Sequence, residues 1–236
     1  MATVLVTGAN RGLGLEFVRQ YAKDGWNVLA CCRYPKDAQE LQALAAVPEH
    51  HIAVECLDVT DHAAIDTLAD LYHAQPIDLL INNAGIVGPL PLRDHIIKQR
   101  FGTMDYELWE EVLRTNAIGP IKIAEAFVEN VALSDEKKII CLSSRVGSNV
   151  EGDVPAFSYG SSKAALNKAV TLLAQVLRER GIIAAVLCPG HAKTRLGVGG
   201  DVEVEDSVTG MRRVIADLTL ERTGTFTRYN GDNIPW

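Results

Sequence analysis

Val4-Leu5-Val6-Thr7-Gly8-Ala9-Asn10-Arg11-Gly12-Leu13-Gly14 is an apolar run that breaks into a glycine-rich turn, and an amphipathic stretch from Leu15 to Lys23 leaves it. Strand, tight turn, helix is the context in which such glycines cradle a dinucleotide. Glycine lets the backbone turn sharply and approach a pyrophosphate, whose charge the exposed N–H groups of the helix start stabilise. The spacing is Gly-x-x-x-Gly-x-Gly, not the Gly-x-Gly-x-x-Gly fingerprint. A glycine-rich turn with no ligand is the competing reading, so the rest of the chain has to decide.

Downstream, apolar runs alternate with helical patterns. They predict strands at 3–7, 27–33, 52–57, 78–82, 138–143, 182–188 and 225–229, and helices at 13–24, 37–46, 61–74, 107–131, 157–179 and 206–220. Runs such as Ile182-Ile183-Ala184-Ala185-Val186-Leu187 do not alternate polar with apolar, as expected of parallel strands covered on both faces. The expectation is an α/β chain, one domain over residues 1–236. It would be a doubly wound Rossmann sheet of about seven strands, mostly or wholly parallel, with helices on both faces. Such sheets bind ligands at the carboxyl ends of their strands. Gly8, Arg33, Asp58, Asn82, Ser144 and Pro189 all fall at such ends.

Composition excludes several other classes. The 236 residues are 47% hydrophobic, enough for a single sizeable core. A net charge of −7 argues against a nucleic-acid-binding surface. No apolar run approaches the ~18 residues of a membrane span, and no signal peptide precedes the first strand. The five cysteines, Cys31, Cys32, Cys56, Cys141 and Cys188, lack metal-ligand spacing. They read as buried, reduced packing residues of a cytoplasmic protein, and no metal site is expected.

Tyr159 and Lys163 lie four residues apart in Tyr-Gly-Ser-Ser-Lys-Ala-Ala, so on a helix they share a face. A free phenol, with a pKa near 10, is a poor acid or base at neutral pH. Bringing it to about 7 takes about 4 kcal/mol. A nearby ammonium supplies only about 1 kcal/mol in water and about 4 in a partly buried site. The pair is useful only inside a cleft; on a solvated helix the same spacing means nothing.

Together these stretches resemble the short-chain dehydrogenase/reductase family, through nearly the whole chain. Thr7 to Gly14 is similar to its cofactor glycine motif, and Asn82-Asn83-Ala84-Gly85 to its motif after the fourth strand. Asn116, Ser144, Tyr159 and Lys163 stand in the places of its catalytic tetrad, and Pro189-Gly190 with Thr194 matches the stretch after the sixth strand. The opening Gly-Ala-Asn-Arg-Gly-Leu-Gly-Leu-Glu, the Ser-Ser-Arg-Val-Gly-Ser stretch and the final Gly-Asp-Asn-Ile-Pro-Trp look like the C-factor-like and sniffer-like carbonyl reductases. The resemblance implies that Tyr159 gives a proton to a substrate carbonyl as a nicotinamide delivers hydride. Lys163 would lower the phenol pKa and hold the nicotinamide ribose. Ser144 would polarise the carbonyl, and Asn116 would anchor a water linking Lys163 to solvent. Cofactor contacts are implied at Gly8, Asn10, Arg11, Gly12, Leu13, Gly14, Arg33, Asp58, Val59, Asn82, Ala84, Gly85, Tyr159, Lys163, Pro189, Gly190 and Thr194.

The second strand bears on the choice of cofactor. NAD enzymes of this architecture usually carry an acid at its end; this chain has Cys32-Arg33-Tyr34-Pro35, and no carboxylate before Asp37. Arg33, with Arg11 from the glycine turn, suits a 2′-phosphate and favours NADP(H); two solvated arginines are the alternative. Asp58 is either the family's adenine-contacting acid or an N-cap. The interval from Ser144 to Tyr159 is longer than usual for the family, and its turn-forming residues can absorb the extra length. Ser143 and Ser148 stay open as substitutes for Ser144.

Substrate identity is where the pattern thins. Arg93, His95, Lys98 and Arg100 form a basic segment beside the cleft, read first as a solvated loop. Residues 191–206, with Gly197, Gly199 and Gly200, suit a substrate lid, in which His191 is read as an exposed loop residue. Val146, Val150 and Phe157 would give the pocket an apolar wall suited to a ketone, aldehyde or dicarbonyl. The leading expectation is a carbonyl reductase. Its alternative is an NADP(H)-binding signalling or regulatory protein with little turnover. Arg11 and Arg33 disfavour an NAD-linked alcohol dehydrogenase. Members of the resembled family are usually homodimers or homotetramers, and the patterns at 107–131 and 157–179 are compatible with such an interface.

Overall fold

The seven apolar runs form strands β1 (Thr3–Thr7), β2 (Asn27–Cys32), β3 (His51–Cys56), β4 (Leu79–Asn82), β5 (Lys138–Leu142), β6 (Ile183–Cys188) and β7 (Phe226–Arg228) of one sheet. This is a computed structural model; it describes residues 1–197 and 199–236, without the side chains of Leu92 and Arg93. Val198 of the expected lid and the Arg93 side chain therefore lie outside the described residues. The strand order is β3-β2-β1-β4-β5-β6-β7 and every pairing is parallel. The order reverses between β1 and β4, which opens a crevice at their carboxyl ends. The glycine turn follows β1 and Asn82-Asn83-Ala84-Gly85 spans the end of β4, so both motifs flank that crevice.

Helices α1 (Gly12–Lys23), α2 (Gln39–Ala45), α3 (His62–Leu71), α4 (Leu92–His95), α5 (Tyr106–Leu113), α6 (Gly119–Ala132), α7 (Phe157–Leu177) and α8 (Val204–Ala216) cover both faces. Successive strand side chains point to opposite faces, so each strand feeds two cores. Val4 and Val6 join Phe17, Leu41 and Met211 beneath α1, α2 and α8. Leu5 joins Ile65, Phe127 and Leu166 beneath α3, α6 and α7. Cys31 and Cys32 divide the same way. All five cysteines are free, and four are buried as expected; Cys56 is exposed. It ends β3, the outermost strand, where no further strand covers it.

The pattern at 107–131 is interrupted. Pro120 has no N–H to give the Asn116 carbonyl four residues back, so the helical ladder fails there. The chain widens into a π turn over Arg114–Ile118, in which the Gly119 N–H reaches the Arg114 carbonyl. Residues Ile96–Gln99, which carry no helical pattern, form a 3-10 turn after α4. Among the described residues, no helix is long and apolar enough to cross a membrane.

Candidate active site

The turn after β1 is shaped by contact with the end of β4. Gly8 has φ +67°, and a Cβ there would lie 2.9 Å from the Ala84 Cα. A Cβ on Gly14 would lie 2.2 Å from the Gly8 carbonyl oxygen, so helix α1 can start this close to the turn only with glycine. Asn83 ties the two loops together: Nδ2 donates to Thr7 O at 2.8 Å and Gly8 O at 3.1 Å. The Asn83 and Ala84 N–H groups each donate to Thr7 Oγ1 at 3.1 Å. Asn82 is different. It is buried, and its Nδ2 donates to Pro120 O at 3.1 Å, so its side chain braces the start of α6.

Tyr159 and Lys163 share one face of α7, with Lys163 Nζ 5.8 Å from the Tyr159 ring centroid. Lys163 is buried and donates to the Leu142 carbonyl at 2.8 Å. Burial lowers its ammonium from the usual lysine value to about 8, partly offset by the neighbouring Cys141 and Cys188. The phenol does not fall. Burial pushes Tyr159 up to about 12, Cys188 adds to the rise, and only the Ser144 side chain, within hydrogen-bonding reach, opposes it. The rise is set by burial, and the Lys163 ammonium is not among the groups that shift the phenol.

Ser144 leads into a 3-10 turn, Arg145–Gly147, where its Oγ accepts from the Val146 N–H at 3.4 Å. Of its rivals, Ser148 is engaged elsewhere. Ser148 Oγ donates to Pro235 O at 2.5 Å and accepts from Val150 N and Glu151 N, which fastens the C-terminal segment. Ser143 is buried and its hydroxyl has no partner among the described residues. The long Ser144–Tyr159 interval is braced by Arg145 on Asp153 (2.8 Å) and Arg228 on Glu151 (2.8 Å). Asn116 lies in the π turn and is 1% exposed. Its side chain clasps the Ile86 backbone, donating to Ile86 O at 2.7 Å and accepting from Ile86 N at 2.8 Å, and also donates to Ser162 Oγ at 3.0 Å. The amide is thus committed to protein. Pro120 also deprives the Asn116 main-chain carbonyl of its ordinary helical partner, which leaves that oxygen able to accept from a water. A Cβ on Gly85 would lie 3.2 Å from Asn116 Oδ1 and 3.6 Å from Lys163 Nζ, so the β4 loop passes directly over both.

Around this centre lie the remaining candidates. Arg11, which precedes α1, and Arg33 are exposed, and neither forms an ion pair among the described residues; Arg33 sits over the Tyr34 ring at 5.9 Å. Asn10, Leu13 and Asp58 are half-buried, and Val59 is buried. Asp58 is no N-cap: it folds an Asx turn onto Thr60 N (2.9 Å), and Asp61 caps α3 by accepting from Ala64 N at 3.0 Å. Thr194 comes opposite the turn, its Cγ2 3.5 Å from where a Gly12 Cβ would stand. Pro189 and Gly190 follow β6, with Tyr229 packed against Gly190. The stretch after them is pinned by a bridge between Ala192 and Val202, and α8 begins at Val204, inside the expected lid. His191 is exposed, as read. Lys98 pairs with Asp105 at 3.2 Å, which partly neutralises the basic segment. Val150 is 72% exposed and Phe157 packs against Trp109 and Phe101, so neither is placed as an inner pocket wall.

The turn, Gly85 and the two exposed arginines fit a phosphorylated dinucleotide. They offer a close backbone approach, a helix start and cations at its rim. Among the described residues no group of three His, Cys, Asp or Glu side chains is placed to hold a metal ion. Residues 2–199 match the short chain dehydrogenase family. The chain is 36% identical to the C-signal of Myxococcus xanthus over 166 residues, 68% of this chain and 93% of that one. The NADPH-bound carbonyl reductase from chicken fatty liver superposes with a TM-score of 0.89 at 34% identity, covering 100% of this chain and 99% of that one. The carbonyl reductase Sniffer of D. melanogaster superposes with a TM-score of 0.88 at 29% identity, covering 100% of both chains.

Proposed function

The chain belongs to the short chain dehydrogenase family, and from that premise we propose that it is an NADPH-dependent reductase of aldehydes, ketones or dicarbonyls, with Tyr159 as the proton donor. The observation that carries this reading is the meeting of Ser144, Tyr159 and a buried Lys163 at the carboxyl edge of the sheet, beside the β1–β4 crevice. NADPH, when bound, supplies the hydride. Gly8, Asn10, Gly12, Leu13 and Gly14 hold its phosphates, and Arg11 and Arg33 bind the 2′-phosphate. Asp58 and Val59 flank the adenine; Ala84, Gly85, Pro189, Gly190 and Thr194 line the remaining path. Asn82 contributes by tying the end of β4 to the start of α6.

A phenol raised to about 12 is fully protonated at neutral pH, the state a donor needs. An alkoxide is a far stronger base than a phenolate, so transfer from Tyr159 Oη to the product oxygen stays downhill. Ser144 orients the carbonyl and stabilises the developing negative charge on its oxygen. With a pKa of about 8, Lys163 is mostly charged at pH 7, and its ammonium stabilises the phenolate left on Tyr159. The water line that restores the proton starts at the Asn116 carbonyl.

The test follows NADPH oxidation with a panel of aldehydes, ketones and α-dicarbonyls, repeated with NADH and with Tyr159→Phe. Turnover that prefers NADPH and disappears in the variant is expected; undiminished reduction by Tyr159→Phe would sink the assignment. The 36% identity to C-signal favours one second reading, an NADP(H)-binding signalling protein with little turnover. Tight NADPH binding without turnover across the panel would support it.

A further inference from the structure

Helix α7 starts without a side-chain cap of its own, because its N-cap position is Ala156. The first N–H groups of a helix have no acceptor within it, and a buried one left unpaired is costly. Tyr159 is the third residue of α7, and its N–H is met from sixty positions away, by Gln99 Oε1 at 3.1 Å. The same oxygen accepts from Ser158 Oγ at 2.5 Å, while Gln99 Nε2 donates to the Val87 carbonyl at 2.5 Å. Gln99 is 1% exposed, and these three partners carry no charge. Val87 directly follows Ile86, the residue clasped by Asn116. One buried amide therefore joins the exit of β4, the turn flanking the cleft and the first turn of the helix that bears Tyr159 and Lys163.

We infer that Gln99 is a positioning residue: it caps the first turn of α7 and so sets the height of the Tyr159 phenol against Ser144. It touches no reacting group and acts through the Tyr159 backbone. Only its kinetic consequence rests on the reductase reading. A buried amide with a merely structural role would lower stability yet leave the folded enzyme's chemistry intact.

Two variants separate these cases. Gln99→Met fills the space without polar atoms. A displaced phenol is then expected to cut kcat about 10–100-fold at saturating NADPH and carbonyl, with the NADPH Kd within about twofold of wild type. By NMR, the Tyr159 amide exchanges about tenfold faster or more, and the Val170 amide of the same helix does not. In Gln99→Glu, the neutral carboxyl can donate to Val87 as the amide does, and the ionised form repels that carbonyl. Its kcat should therefore fall as pH rises toward 7, a range in which Lys163 stays mostly charged and wild type is flat. If Gln99→Met does not fold, this profile decides. Wild-type kcat or undiminished Tyr159 protection in Gln99→Met, or a wild-type pH profile in Gln99→Glu, would overturn the inference. If the wild-type protein reduces no carbonyl, the reductase reading fails, and amide exchange alone decides the positioning role.

Discussion

Replacing Lys163 with Met should abolish turnover and alter how stability depends on pH. The Lys163 ammonium titrates near 10.5 when unfolded and near 8 when buried. That fall means the folded protein holds the charge at a cost of about 3 kcal/mol at pH 7. Between pH 8 and 10.5 the unfolded chain binds more protons than the folded one, so stability rises with pH across that window. From pH 7 to pH 10 most of that cost is relieved, about 2–3 kcal/mol. Methionine removes the charge but leaves the Leu142 carbonyl without its 2.8 Å donor, which costs about 1–3 kcal/mol. The net change at pH 7 is therefore small, and the slope is the signature. Urea unfolding of both proteins at pH 7 and pH 10 reads it, since subtracting the two cancels Tyr159 and the buried thiols. Wild type should gain about 2–3 kcal/mol on the variant over that interval. Parallel curves would refute the reasoning, because the buried ammonium would then cost nothing.

Arg33→Asp should weaken NADPH binding about 10–100-fold, the worth of a charge-assisted pair, and leave NADH nearly unchanged; titration with both nucleotides checks it, and equal loss would remove Arg33 from the phosphate. Gly14→Ala drives a Cβ to 2.2 Å from the Gly8 carbonyl. It should cost about 3 kcal/mol and lower Tm by roughly 6–12 °C, with NADPH affinity lost as well; an unchanged Tm and Kd would mean the turn is looser than drawn. Ser148→Ala gives up the bond to Pro235 O and two backbone partners. The expected result is a loss of about 1–2 kcal/mol in denaturant unfolding with kcat unchanged. A large fall in kcat would return Ser148 to candidacy beside Ser144.

By itself the sequence determined the parallel sheet and the edge on which the site lies. Both depend on local periodicity and on strand ends, and the unbroken apolar runs of β5 and β6 carry that signal directly. It also singled out Tyr159 and Lys163, because a four-residue interval on a helix is a statement about direction in space. What only the tertiary structure decided are pairings between distant positions. Asn83 and Thr7 are 76 residues apart, and Gln99 and Tyr159 are 60 apart. Nothing in the neighbourhood of either residue announces such a partner, and Gln99 sits in a segment that reads as a solvated basic loop. The charge states belong to the same class. Lys163 and Tyr159 are shifted by burial, and burial is set by how α7 packs against β5 and β6, not by the residues beside them in the chain.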